Sequence, residues 1–234
     1  MPRPHLYLLI TLAVAFGISR FSAQIDPYYL DVVIGIGINV ILAVSLNLVN
    51  GYTGQFSLGH AGFMSVGAYF SAAVSLFLAP KFFGASNGGA LQEGGLFLAA
   101  LVAGGLSAAL AGLLVGVPSL RLKGDYLALV TLGFGEIIRV IFQNVEKLGG
   151  ALGLNGIPAY TSIFWVMAFV GITVFVVQCL VNSTYGRGFL ATHDDEIASE
   201  AVGLNTTNYK IVAFVIGAFF AGIAGGLYGH FKLT

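Results

Sequence analysis

NLVNGYTGQFSLGHAGFMSVGAYFSAA, residues 47–73, decides how this chain must be read. Its polar, glycine-rich part holds Asn50, Gly51, Thr53, Gly54, Gln55, Ser57, Gly59 and His60. That part lies between two segments apolar enough to cross a bilayer. Irregular backbone at such a place survives only where protein covers it or where it lines a water-filled cavity. The interruption therefore marks the first place to look for a transport path.

Working outward, the rest of the chain is of the same kind. Hydrophobic residues make up 57% of the 234 positions, charged residues only 9%, and the mean hydropathy is +0.91. Soluble domains carry about a quarter charged residues, so the solvent for most of this surface is lipid. The expected fold class is all-α: a polytopic integral membrane protein with one transmembrane domain over 1–234. Net charge is zero, which favours neither nucleic acid nor a polybasic lipid contact. Cys179 is the single cysteine and cannot form an internal disulfide. The 33 glycines suit helices that pack at close range.

A span needs about 20 mostly apolar residues. Seven segments qualify, at roughly 5–24, 28–49, 60–80, 95–117, 125–143, 162–181 and 209–229. The first follows Arg3 as a signal peptide would, but further spans follow it, and an uncleaved anchor is the expectation. With the N-terminus inside, Arg3, Arg121, Lys123, Arg187 and Lys210 fall on the cytoplasmic side, against Arg20, Lys81, Lys147 and Lys232 outside. This slight bias orients the chain N-inside.

The longest polar stretch, residues 182–208, reads as a cytoplasmic loop. Thr192 followed three residues later by Asp195 fits a loose capping box. Ile197, Ala198, Ala201 and Val202 then line one face of a short helix, with Glu196, Ser199 and Glu200 on another. Gly203 can end that helix in a left-handed conformation. Such a helix is either a docking surface or an ordinary interfacial loop helix.

In the fifth span Glu136 and Arg139 share a face, continued by Gln143. They are either a pathway-lining pair or, as favoured here, a structural ion pair near the outer interface, where Arg139 can snorkel. Asn39, Asn47 and Asn50 stripe one side of the second span and could serve interhelical hydrogen bonds. The turn residues Gln55, Ser57 and His60, with Asn47, either border a substrate path or satisfy the broken backbone of the turn. The small-residue spacing of Ala218, Gly222 and Gly226 favours close helix contact without singling out a dimer face. No second histidine or cysteine stands at ligand spacing from His60, so no metal site is expected. No Walker sequence occurs, so this chain cannot hydrolyse ATP by a P-loop.

Four ordered motifs give a further reading. They are NLVNGYTGQFSLGHAGFMSVGAY (47–69), GDYLALVTLGFGEIIRVI (124–141), GGALGLNGIP (149–158), and YGRGFLATHDDEIASEAVGLN (185–205) running on to FFAGIAGGLYG (219–229). Together they resemble the permease subunits of bacterial branched-chain amino acid ABC importers, of the LivM type. The resemblance covers nearly all of the chain from about Asn39 onward. It implies a bacterial plasma (inner) membrane location and a second, LivH-like permease subunit. It also implies two cytoplasmic ABC ATPases that hydrolyse the ATP, and a substrate-binding protein that delivers the cargo. It places Arg187, Glu200, Ala201 and Gly203 in the region that couples to the ATPases. Family permeases continue past GGLYG into further helices, so the chain reads as C-terminally truncated. Close relatives of this kind import urea or short amides, the alternative cargo. A stand-alone secondary transporter would instead need matched helix breaks in two repeated halves, and only one break is evident.

Overall fold

A computed structural model describes residues 4–21, 26–78, 90–120, 122 and 125–233, and every regular element among them is helical. Helix α1 is Pro4–Phe21 and α2 is Pro27–Asn50. Helix α3, His60–Ala73, runs on into a π-helical turn at Val74–Leu78. Helices α4 (Ala90–Ser119), α5 (Asp125–Asn144) and α6 (Ile163–Val181) follow. Two short helices, α7 (Thr184–Asp194) and α8 (Glu196–Ala201), precede the long α9, Thr206–Lys232.

Six of these, α2 to α6 and α9, are long and apolar enough to cross a membrane. Where the sequence suggests a seventh span, α1 offers a shorter apolar stretch, Thr11–Arg20. It lies against α6, where Gly171 leaves room for the Thr11 side chain: a Cβ there would stand 2.6 Å from Thr11 Oγ1. Arg3, Lys81, Arg121 and Lys123, which enter the charge bias, lie outside the described residues.

Helix α9 is the axis of the bundle. Within its apolar window 67% of residues are buried, against 17% for α5. The reason is its small-residue ladder. Ala218 receives Gly112 of α4, while Gly222 packs against Gly67 of α3 and Gly104 of α4. Gly226 accommodates Leu101 and Ser71. The spacing that could have served a dimer is thus spent inside the chain, on close approach between α3, α4 and α9.

The GGALGLNGIP motif turns the chain after α5. Gly149, Gly150, Gly153 and Gly156 all have positive φ, a region other residues rarely adopt. The turn lets Leu154 and Ile157 tuck into an apolar cluster with Ala72. On that same end the π-helical turn brings Ser75 Oγ within 2.9 Å of His230 Nε2, and His230 is fully buried beside Phe97.

Candidate functional site

The end of α2, the interrupted loop 51–59, the corner before α5, helices α7 and α8, and the start of α9 all meet at one end of the bundle. Helix α2 closes on the Asn47 carbonyl, which accepts from both the Gly51 and the Tyr52 N–H. The chain then folds back on itself. Thr53 Oγ1 donates to the Val49 carbonyl at 2.7 Å, and the Gln55 N–H donates to the same oxygen at 3.2 Å. The Ser57 N–H reaches Asn50 Oδ1 at 3.3 Å, and the Leu58 N–H reaches Thr131 Oγ1 on α5 at 3.0 Å. His60 begins α3 with Nε2 2.8 Å from Ser45 Oγ of α2, itself fully buried.

The four turn residues do not converge on one cleft. Ser57 is buried, Asn47 is exposed, and His60 is tied to Ser45. Gln55 is only 4% exposed, and neither atom of its carboxamide has a hydrogen-bond partner among the described residues. It borders a cavity of about 180 Å³ whose walls include Thr53, Gly54, His193, Asp195 and Lys210. Gly54, at φ +67°, sits directly on His193; a Cβ there would lie 2.9 Å from His193 Cδ2 and 3.5 Å from its Cα. The loop is therefore in contact with the hinge between α7 and α8.

Helix α7 is seated by glycines: Gly186 packs on the Val181 backbone and Gly188 against the Tyr209 ring. Phe189, next after Gly188, is fully buried with Leu48 and Ala213, while Arg187 between the two glycines is exposed. The expected cap at Thr192 is not formed. Thr192 belongs to α7, and its hydroxyl donates back to the Gly188 carbonyl at 2.8 Å, a local bond that competes with capping. Asp195 caps α8 itself, Oδ1 accepting from the N–H groups of Ile197 (2.9 Å) and Ala198 (3.0 Å). At the other end Gly203 has φ +88°. The Gly203 N–H reaches Glu200 O and the Leu204 N–H reaches Ser199 O, both at 3.0 Å, the paired bonds of a Schellman close.

The six-residue α8 is amphipathic in reverse. Its polar side faces the protein. Glu196 Oε1 is 2.8 Å from Lys210 Nζ of α9. Ser199 Oγ donates to the Ala191 carbonyl (2.8 Å), and Glu200 Oε1 accepts from Thr206 Oγ1 (2.7 Å). Its apolar residues face outward, with Ile197 73% and Val202 78% exposed, and Ala198 and Ala201 exposed beside them.

Glu136 and Arg139 stand apart from this end, with Arg139 Nη1 3.2 Å from Glu136 Oε2. The expected ion pair is formed, and both side chains are exposed on the chain's own surface, because α5 is packed on one side only. Of the residues that build the site, Ser45, Lys210 and the capping role of Asp195 escaped the sequence reading. Lys210 entered that reading only as a cytoplasmic charge; its place where the polar stretch passes into an apolar span was the available signal. Among the described residues no cluster of potential metal ligands occurs.

A bundle of six helices long and apolar enough to cross a membrane, broken at one end by a polar loop that rests on a pair of short helices, is the architecture of a polytopic membrane protein. The chain belongs to the family described as branched-chain amino acid transport system / permease component, whose pattern it matches over residues 28–231. It is 34% identical to the high-affinity branched-chain amino acid transport system permease protein LivM of Salmonella typhimurium, over 94% of this chain and 55% of that protein. The Escherichia coli K12 protein of the same name is also 34% identical, over 95% of this chain and 56% of the relative. The probable LivM permease of Methanocaldococcus jannaschii is 26% identical, over 85% of this chain and 66% of that protein. The chain thus spans about half the length of its bacterial relatives. No solved structure matches it.

Proposed function

We propose that this chain is a permease subunit of an ATP-driven importer that carries branched-chain amino acids across the bacterial inner membrane. In this reading it works beside a second, LivH-like permease subunit, two cytoplasmic ABC ATPases and a substrate-binding protein. The names of its relatives supply the cargo. The observation that carries the mechanism is the outward apolar face of α8, Ile197 and Val202, on a helix whose polar side is fastened to the bundle. A free surface helix would turn those side chains inward, because burying an aliphatic side chain is worth about 1.5–3 kcal/mol. Held this way, they suit a cleft on a cytoplasmic partner.

Force applied by an ATPase at α8 passes to α9 through Glu196 and Lys210, and to the interrupted loop through His193 and Gly54. ATP remains the business of the partners, and no cofactor is required of this chain. Removing the gene should abolish ATP-dependent uptake of leucine, isoleucine and valine into cells, and restoring the intact gene should return it. Unchanged uptake of all three, with loss of urea or amide uptake instead, would overturn the assignment of cargo.

A further inference from the structure

Charge at the centre of a bilayer is costly, so the depth and direction of a charged pair limit what can lie beside it. Glu136, Arg139 and Gln143 form one stripe on α5, joined on the same side by Leu132. All four are exposed, Arg139 by 61% and Glu136 by 59% of their side chains. Helix contacts fix the depth. Gly135 lies against Gly62 of α3, where a Cβ on Gly62 would come 3.0 Å from Gly135 Cα. Phe142 stacks on Tyr69 of α3 with ring centroids 4.2 Å apart. Between those two levels Gly67 of α3 packs on Gly222, near the middle of α9. Glu136 thus lies near the middle of α5 and Arg139 five residues before its end, both inside the apolar span. Ionisable side chains within a span almost always face the bundle interior or a water-filled cavity.

Lipid is thus the wrong neighbour for this stripe. The pair itself is loosely made: Nη1 alone contacts the carboxylate, at 3.2 and 3.4 Å, which leaves most of the guanidinium's five donors for water or a ligand. Helix α5 is also the least buried of the six spans, the open edge of this bundle.

We propose that Leu132, Glu136, Arg139 and Gln143 line the water-filled path and that the pair is a passing subsite for an α-amino acid zwitterion. Glu136 receives the ammonium and Arg139 the carboxylate. The proposal rests on the reading of the chain as an amino acid permease. A pair already neutralised by its own contact binds such a ligand weakly, as conduction requires.

The test uses the intact chain in native membrane vesicles with its partner subunits. Single cysteines replace Leu132 or Gln143 on the stripe, and Ile137 or Ile141 on the other exposed edge of α5, all in a Cys179→Ser background. A small charged methanethiosulfonate should label the two stripe positions, at least tenfold more slowly under saturating leucine, and leave Ile137 and Ile141 unlabelled. In Glu136→Gln the KM for leucine should rise at least tenfold with the amount of folded protein unchanged. Absence of labelling at both stripe positions, or labelling that leucine does not slow, in vesicles that accumulate leucine overturns the proposal. Failure of the unsubstituted vesicles to take up leucine refutes the importer reading instead, and stripe labelling then still decides whether the face is wet.

Discussion

Lys210→Met should loosen α8 from the bundle without unfolding the spans. The ammonium lies 2.8 Å from Glu196 Oε1; the lysine side chain is 9% exposed and that of Glu196 23%. Breaking a fully buried pair costs about 3–5 kcal/mol, mostly through the charge left behind. Glu196 keeps some access to solvent and borders a polar cavity, so a cost of about 2–3 kcal/mol is expected here. At about 1.4 kcal/mol per factor of ten, that raises the open population of the helix by roughly 30- to 150-fold. Hydrogen–deuterium exchange of the 195–203 segment in nanodiscs reads it directly: Lys210→Met should exchange faster by that factor. Glu196→Gln with Lys210→Met should recover most of the protection, since no charge is stranded. Exchange within threefold of the parent in Lys210→Met, or a double variant as open as the single one, would refute the clamp.

Gly203→Val places a β-branched residue at φ +88°. The strain of about 1–2 kcal/mol should accelerate exchange across α8 roughly tenfold, although the added side chain meets nothing. Gly104→Ala puts a Cβ 2.6 Å from the Gly67 carbonyl oxygen, and overpacking of about 1–3 kcal/mol should lower the midpoint of thermal unfolding in detergent. Gly95→Ala, on the same helix with open space around it, should not lower it. Ser45→Ala strips His60 of its bond at 2.8 Å and should cost about 1–3 kcal/mol in the same assay.

What was legible in the sequence follows what each signal depends on. Span positions depend on composition alone, and the apolar runs at 28–49 and 162–181 became α2 and α6 with ends shifted by one residue at most. Gly203 was readable because a left-handed close needs glycine locally. The capping role of Asp195 was hidden because Thr192 offered a competing pattern, and only the path of α7 shows that its hydroxyl is spent on Gly188. The Glu196–Lys210 bond joins residues fourteen apart across a hinge, which no helical periodicity encodes. The exposure of Glu136 and Arg139 likewise depends on which side of α5 the rest of the bundle covers, a tertiary fact. The sequence placed them on one face; it held no sign of whether that face looked in or out.

In the proposed importer, α8 offers its apolar face to a cytoplasmic ATPase. A photo-crosslinking amino acid at Val202, in the intact chain in its native membrane, addresses it most directly. Val202 projects from the bundle and takes no part in holding α8 in place. The expected result is a crosslinked product containing a nucleotide-binding ABC subunit, and its loss when the ATPases are stripped from the membrane. Crosslinks to lipid alone, or reaction of Val202→Cys with an impermeant thiol reagent added outside intact cells, would contradict it.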